Sequence, residues 1–142
     1  MPVFKILGIL IETFERVLSM KSAVPQSLKR RMLQEGMRKN EERDEAFRRI
    51  ILSIPKGRVS SYGRVAMAAG YPLHHRAVAH LLRRETLTTL PWQRILGSDG
   101  EIRLKGEFAQ EQKLRLKMEG VIFEGSRLNM GVYEHAFCGW DF

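Results

Sequence analysis

Two groups of side chains in this sequence could do chemistry: the run Pro91–Arg94 and the thiol of Cys138. In the run, the Trp92 indole offers a weakly acidic N–H donor but no usable nucleophilic lone pair. Gln93 can both donate and accept hydrogen bonds. Taken alone, a tryptophan that follows proline in an apolar stretch is more typical of a core than of a ligand contact. The run therefore indicates packing or hydrogen bonding, whereas covalent chemistry would need the thiol.

Cys138 is the only cysteine of the chain. It cannot form an internal disulfide, which fits a reducing cytoplasm. Because it stands beside Phe137 and close to Trp140, we expect a buried small hydrophobic side chain rather than a reactive nucleophile.

Composition and charge limit the class of protein. The chain has 142 residues, of which 44% are hydrophobic, enough for the packed core of one domain with an appendage. Its formal net charge of +8 favours a polyanionic partner. Residues 1–45 carry nine Lys and Arg against seven Asp and Glu, and residues 46–142 carry fifteen against nine. The basic surplus therefore lies mainly in the second part.

Residues 1–40 form an N-terminal extension in this interpretation, before a domain over residues 41–142. Apolar residues recur at helical spacing in Val3–Met20 and predict an amphipathic helix, packed on the domain or attached to a partner or membrane surface. Charged residues interrupt it, and it is too short for the roughly 20 apolar residues that span a bilayer. Lys21–Asn40 is expected to be a basic linker with at most one short helix.

The first part of the domain predicts three helices. Glu41–Ser53 has an apolar stripe, acidic residues at its start that suit the helix dipole, and a stop at Pro55. Ser60 or Ser61 would cap a second helix that ends at Gly70. Residues 73–84 would form a third, with an inward stripe of Val78, Leu81 and Leu82. Two short helices joined by a glycine-containing turn predict a helix-turn-helix, with the second helix presented to DNA.

The outward face of that last helix carries Arg76, His80 and Arg83 at i, i+4 and i+7. A basic stripe next to small alanines favours contact with a nucleic-acid backbone. An ordinary solvated face is the alternative. Metal binding is the weakest interpretation, because His74 and His75 are adjacent and point apart on a helix.

The rest of the chain predicts shorter elements. Ile95–Leu96 and Glu101–Leu104 flank an Asp-Gly turn and predict a hairpin, the wing of a winged helix, on which Arg103 and Lys105 could meet phosphates. Phe108 to Met118 predicts a helix ended by Gly120, followed by two strands around residues 124–126 and an aromatic tail. No internal repeat, phosphate-binding glycine loop or pair of catalytic carboxylates is visible.

The order of these motifs resembles a known family. Ile54-Pro55-x-Gly57-x-Val59, then Ser61-Tyr62-Gly63, Arg76-Ala77-Val78 and Pro91-x-x-Arg94 are similar to the DNA-binding domain of the alkylguanine-DNA alkyltransferases. In those enzymes a cysteine stands where this chain has Trp92. That exchange is typical of the alkyltransferase-like proteins, which bind alkylated guanine without repairing it. The resemblance implies an α+β fold, a winged helix-turn-helix with an N-terminal helical extension.

The resemblance also implies roles for individual residues. Arg76 would enter the base stack in place of an extruded nucleotide, and Tyr62 would crowd the phosphate beside the lesion and help rotate the nucleotide outward. His80 and Arg83 complete the predicted DNA-binding set. The predicted lesion pocket is Tyr62, Pro91, Trp92, Gln93, Arg94 and Glu119. No catalytic residue, metal or organic cofactor is implied.

Besides Trp92, two positions depart from the enzyme pattern, whereas Glu119 matches it. Gln93 replaces the histidine that helps to remove the thiol proton. Glu85 stands near the position of an asparagine, in a loop one residue shorter, so we expect a reshaped pocket entrance. Glu119, which in the enzymes supports the active-site hydrogen bonds, is expected to be structural here.

The function implied is a non-enzymatic sensor of guanine alkylated on its exocyclic oxygen, acting as a monomer on double-stranded DNA. Its implied partners are nucleotide-excision repair proteins, with no membrane involved. The expected location is the cytoplasm, on the nucleoid when bound to DNA, or the nucleus in a eukaryote. Two alternatives stay open: a winged-helix protein that reads DNA sequence, and an alkyltransferase that uses Cys138 as its acceptor.

Overall fold

The computed structural model describes residue 12 and residues 24–85 and 89–138. The predicted amphipathic helix over Val3–Met20 therefore lies outside the described residues except for Glu12, which is helical and exposed. The chain divides into two compact units, residues 1–40 and residues 41–142. Within the described part, no helix is both long and apolar enough to span a bilayer.

The described residues form an α+β arrangement in which helices predominate. We number the elements in chain order: α1 Gln26–Ser53, β1 Ser60–Ser61, α2 Tyr62–Ala68, α3 His75–Arg84, a 3₁₀ helix Trp92–Arg94, β2 Ile95–Leu96, α4 Glu107–Met118, β3 Phe123–Glu124, β4 Arg127–Leu128 and α5 Met130–Tyr133.

Helix α1 is longer than the sequence predicted. It begins at Gln26, so the expectation of a basic linker is wrong for residues 26–40. Extending a helix that has already formed adds one hydrogen bond for each residue fixed, whereas like charges four residues apart cost only about 0.2–0.5 kcal/mol. Glu35 also pairs with Arg38 at 2.9 Å and with Lys39 at 3.8 Å.

The acidic residues expected at a helix start lie instead inside α1, so the dipole interpretation is wrong for them. Asp44 is buried and accepts hydrogen bonds from Arg43 at 3.1 Å and from Arg84 of α3 at 2.6 Å. Arg48, one turn further along, donates to Glu85 at the end of α3. These ion pairs tie α1 to the C-terminal end of α3.

The helix-turn-helix has the predicted form. The Ser61 side chain caps α2 by accepting a hydrogen bond from the Arg64 N–H at 3.2 Å. Gly70 follows with φ +87°, a left-handed conformation that glycine adopts without strain. Helix α3 then buries its predicted inward stripe of Val78, Leu81 and Leu82.

Two small sheets complete the fold, and one differs from the prediction. The two segments of the expected hairpin of residues 95–104 are not paired strands, because β2 pairs in parallel with β1, with Ser60 opposite Ile95. Across the turn, the Gly97 N–H donates to the Glu101 carbonyl at 2.9 Å. Ile95 and Leu96 are fully buried, so the β2 strand lies in the interior of the domain. Glu101 instead makes a bridge to Arg127 at the surface. The second predicted strand pair is confirmed as β3 with β4, antiparallel and joined by a turn at Gly125.

The apolar side chains collect in two clusters. The larger joins α1, α2 and α3 to Leu90, Trp92 and Ile95. The smaller contains Val59, Leu96, Leu116, Val121 and Leu128. Because Ile95 and Leu96 are consecutive in an extended strand, their side chains enter different clusters, so β2 lies between the two. Trp92 immediately precedes this strand and is thereby held at the edge of the larger cluster.

Candidate nucleic-acid interface

A cavity of about 930 Å³ opens beside α3. Its walls come from the start of α2, the outward face of α3, the 3₁₀ helix, the loop before α4 and the first turn of α4. The lining residues are Tyr62, His75, Arg76, Ala79, His80, Leu82, Arg83, Trp92, Arg103, Leu104, Lys105 and Phe108. The side formed by α3 is cationic, and the rest of the wall joins apolar side chains with Arg103 and Lys105. Cationic and aromatic groups are combined in this way in sites that hold an aromatic base beside its phosphate.

The cationic side is formed by α3. Arg76, His80 and Arg83 are exposed and share one helix face, as their spacing predicted. None of the three forms a hydrogen bond or ion pair with another residue in the described ranges. Ala79 lies between them and leaves room for a polyanion to approach. Their donors are therefore available to a ligand.

Tyr62 is the first residue of α2, directly after the capping Ser61. It lines the cavity and packs against the larger apolar cluster. Burial raises the pKa of its hydroxyl, and the positive charges of Arg83 and Arg103 partly oppose that rise. The hydroxyl is consequently protonated at neutral pH and can donate a hydrogen bond as well as accept one.

Trp92 is both a core residue and part of the cavity wall. Only 8% of it is exposed, and it belongs to the larger apolar cluster. It also lies on the cavity with Arg76, so the core and pocket interpretations of this residue are compatible. The guanidinium of Arg115 lies over its ring, 5.3 Å from the centroid.

A buried polar cluster lies behind the wall. Gln93 Nε2 donates to Glu119 Oε1 at 2.9 Å, and Arg94 donates to both oxygens of the same carboxylate at 2.9 to 3.2 Å. Arg94 also donates to the Ile54 carbonyl at 2.8 Å. The Gly57 N–H donates to Glu119 Oε2 at 3.3 Å. This carboxylate therefore joins the 3₁₀ helix to the turn that follows α1.

The charge state of Glu119 follows from these contacts. Burial by itself would raise the pKa of the Glu119 carboxyl, but the hydrogen bonds from Arg94, Gln93 and Gly57 outweigh it and bring the pKa below the ordinary glutamate value. Glu119 is thus ionised at neutral pH and acts as an acceptor only. Its contacts join three segments of the fold.

Four residues of the predicted lesion pocket are not on the cavity wall. Tyr62 and Trp92 line it, but Pro91, Gln93, Arg94 and Glu119 do not. Gln93 and Arg94 turn away because the tight 3₁₀ turn points successive side chains in different directions, so that the residues after Trp92 face the interior. Their effect on the cavity is indirect, through the position of the turn.

Glu85, which departs from the enzyme pattern, pairs with α1. Glu85 ends α3 and accepts hydrogen bonds from Arg48 Nε at 2.9 and 3.1 Å. It does not line the cavity. Its side chain is therefore directed to α1 and stabilises the end of α3.

Sequence reasoning missed the apolar part of the wall. Leu82, Leu104 and Phe108 line the cavity, and Phe108 is 57% exposed at the start of α4. The sequence pattern places Leu82 only in the inward stripe of a helix and Leu104 only in a hairpin. The one available signal was Phe108, a large aromatic residue in the first, charged turn of a helix.

The prediction that Cys138 is buried is wrong, because this residue is exposed. Its neighbour Phe137 takes the packing position against the larger cluster. Cys138 is not among the residues that line the cavity. Over the described ranges, no group of three or more His, Cys, Asp or Glu residues is placed to hold a metal ion.

The fold and this interface define a DNA-binding domain of the helix-turn-helix type. Residues 42–121, more than half of the chain, match the family model for the 6-O-methylguanine DNA methyltransferase DNA-binding domain, and the chain belongs to that family. This confirms the resemblance and the fold class predicted from the sequence.

Two curated relatives show the level of similarity. The DNA base-flipping protein of Vibrio parahaemolyticus is 44% identical over 73 residues, which cover 51% of this chain and 73% of the relative. The alkyltransferase-like protein 1 of Schizosaccharomyces pombe is 34% identical over 97 residues, covering 64% of this chain and 88% of the relative.

A solved structure is similar as well. It is the S. pombe alkyltransferase-like protein in complex with damaged DNA containing O6-carboxymethylguanine. The TM-score is 0.58 at 33% sequence identity, and the match covers 66% of this chain and 96% of the other.

Proposed function

We propose that this protein binds double-stranded DNA containing 6-O-alkylguanine and turns the damaged nucleotide out of the helix into the cavity beside α3. The observation that carries the proposal is that Arg76, Tyr62 and Trp92, which are far apart in sequence, lie on the walls of one cavity. Relatives named for base flipping and a related structure that holds damaged DNA support it.

Base extrusion explains why the cavity joins two kinds of surface. A guanine stacked in duplex DNA cannot be inspected at its exocyclic oxygen, so it must be unstacked at a cost of a few kcal/mol, which is smallest for a poorly paired, damaged base. The planar, always charged guanidinium of Arg76 can stack in the space that the base leaves. The ring of Trp92 and the side chains of Leu104 and Phe108 would contact the extruded base and its alkyl group.

The same residues give no means of transferring the alkyl group. Trp92 has no nucleophilic lone pair to attack the alkyl carbon. The Gln93 amide cannot act as a base, and its nitrogen already donates to Glu119. The protein would hold the lesion without repairing it, so another system must remove the damage. We infer that nucleotide-excision repair proteins recognise the complex and that the protein acts as a monomer.

The decisive experiment is a gel-shift titration with matched duplexes that differ only in one 6-O-alkylguanine. We expect at least tenfold tighter binding of the alkylated duplex, a free-energy difference of about 1.4 kcal/mol. Equal affinity would instead favour a winged-helix protein that reads DNA sequence, and would overturn the proposal.

Mass spectrometry after incubation with the alkylated duplex tests the enzymatic alternative. We expect an unchanged protein mass for a 6-O-methylguanine substrate. A stoichiometric gain of one methylene mass, absent from Cys138→Ser, would show an alkyltransferase that uses Cys138 as acceptor.

A further inference from the structure

Helix α4 and the residue that caps it hold the tryptophan-bearing turn from behind. Gln112 is fully buried, and its Nε2 donates to the carbonyl oxygens of Gln93 at 3.1 Å and Ile95 at 2.8 Å. Glu119, seven residues later, accepts from the Gln93 side chain. Both anchors act on the residues that follow Trp92, whereas the indole itself packs in the larger apolar cluster.

Arg115 adds a charged contact with the ring. It lies three residues after Gln112 and four before Glu119, a spacing that brings all three to one face of a helix. Its guanidinium lies over the Trp92 ring at 5.3 Å from the centroid. Arg115 is not among the cavity-lining residues, whereas Trp92 is. The cation therefore contacts the indole from outside the cavity.

The guanidinium is itself held in place. Arg115 Nε and Nη2 both donate to Glu111 Oε1, at 3.0 and 2.6 Å. The Arg115 side chain is 47% exposed, so the charge stays accessible to water while the guanidinium lies over the ring. A cation at this distance from a tryptophan ring is attracted by the negative potential of its face. Glu111, Arg115 and Trp92 thus form a chain of contacts that ends at the cavity wall.

We propose that Arg115 is a positioning residue that fixes the Trp92 indole in the orientation presented to the extruded base. The proposal rests on the proposed function, because it assigns a task to Trp92 in lesion binding. A ring already held by a cation loses less conformational freedom when a base packs against it. Arg115 therefore contributes to discrimination between alkylated and normal guanine without touching the DNA.

The test uses the full chain with Trp140→Phe, which leaves Trp92 as the only one of the two tryptophans. Three variants are compared in that background: Arg115→Met, Arg115→Lys, and Lys117→Met as a control. Lys117 is exposed on the same helix, so its variant loses the same charge without a contact to the ring. Thermal unfolding shows that each variant is folded. Glu111→Gln removes the charge that pairs with Arg115 and should change the Trp92 emission and the preference in the same direction as Arg115→Met.

We expect Arg115→Met to shift the Trp92 emission spectrum and to increase quenching by acrylamide. It should also reduce the preference for the alkylated duplex roughly two- to fivefold, the factor that a partly exposed cation–π contact provides. Arg115→Lys should restore part of both signals, and Lys117→Met should alter neither the emission nor the preference.

Two results would overturn the proposal. One is an unchanged emission spectrum and an unchanged preference in Arg115→Met. The other is an equal loss of affinity for both duplexes with the preference retained, which would make Arg115 a phosphate contact. If the parent protein shows no preference for the alkylated duplex, the proposed function fails, whereas the emission spectra still show whether Arg115 holds the ring.

Discussion

Arg76 and Arg94 lie on opposite sides of the cavity wall and use their guanidinium groups differently. Arg94 donates to both oxygens of Glu119 and to the Ile54 carbonyl, and its side chain is 16% exposed. Arg76 is exposed and has no such partner within the described residues. An arginine with satisfied donors stabilises the fold, whereas one with free donors is available to a ligand.

The polar groups behind the cavity wall differ from those on the wall itself. Behind the wall, polar groups are buried and paired, so removal of one leaves its partner uncompensated. On the wall, the cations are hydrated, so their removal changes binding and leaves folding intact.

The largest expected effect is on the free energy of unfolding and concerns the polar cluster behind the cavity wall. Glu119→Ala removes the carboxylate that pairs with Arg94 and accepts from Gln93 and Gly57. We expect the free energy of unfolding to fall by about 3–5 kcal/mol, measured by urea denaturation. Glu124→Ala, at an exposed position, is the matched control and should change it by less than about 0.5 kcal/mol. Similar losses in both variants would contradict the distinction.

Arg76→Ala tests the cavity side. We expect affinity for the alkylated duplex to fall roughly ten- to hundredfold, because nothing then fills the space left by the extruded base. The free energy of unfolding should stay within about 0.5 kcal/mol of the parent value. Lys56→Ala removes an exposed charge outside the cavity and should weaken binding much less. Equal losses of affinity would exclude the role assigned to Arg76.

A fall in pH should first reduce the stability contributed by the buried polar cluster around Glu119. The ordinary pKa of a glutamate is 4.5, and that of Glu119 in the folded protein is lower. Its ionised form therefore contributes stability that is fully present above pH 4.5. That stability is lost as the pH falls through the pKa of Glu119 in the folded protein. One proton can account for at most about 1.4 kcal/mol per pH unit. Unfolding measured between neutral and acidic pH should show a smaller pH dependence in Glu119→Gln, and parallel curves would contradict this assignment.

The smallest expected effect is on the salt dependence of binding to unmodified DNA. Each phosphate contact made by a cation contributes about one unit to the slope of log affinity against log salt concentration. Arg83→Ala should reduce that slope by about one. Arg49→Ala, an exposed arginine of α1 away from the cavity, should leave it unchanged. The same slope for Arg83→Ala and the parent would remove Arg83 from the DNA-facing surface.

The sequence by itself determined those features that depend on neighbours along the chain. Helical spacing of apolar residues, the cap at Ser61 and the glycine at Gly70 predict the helix-turn-helix, because these signals act within one or two turns. The basic face of α3 follows from the same periodicity. The order of short motifs was sufficient to indicate the family.

Only the tertiary structure decided which side chains meet. Ile95 and Leu96 pair with β1 rather than with the nearby residues after Gly100, since burial of both strand residues outweighs a local turn signal. The same burial turns Gln93 and Arg94 inward and leaves Trp92 on the wall, where Phe108 and Leu104 join it. Contacts between segments far apart in sequence depend on how whole elements pack, and no local pattern records that packing.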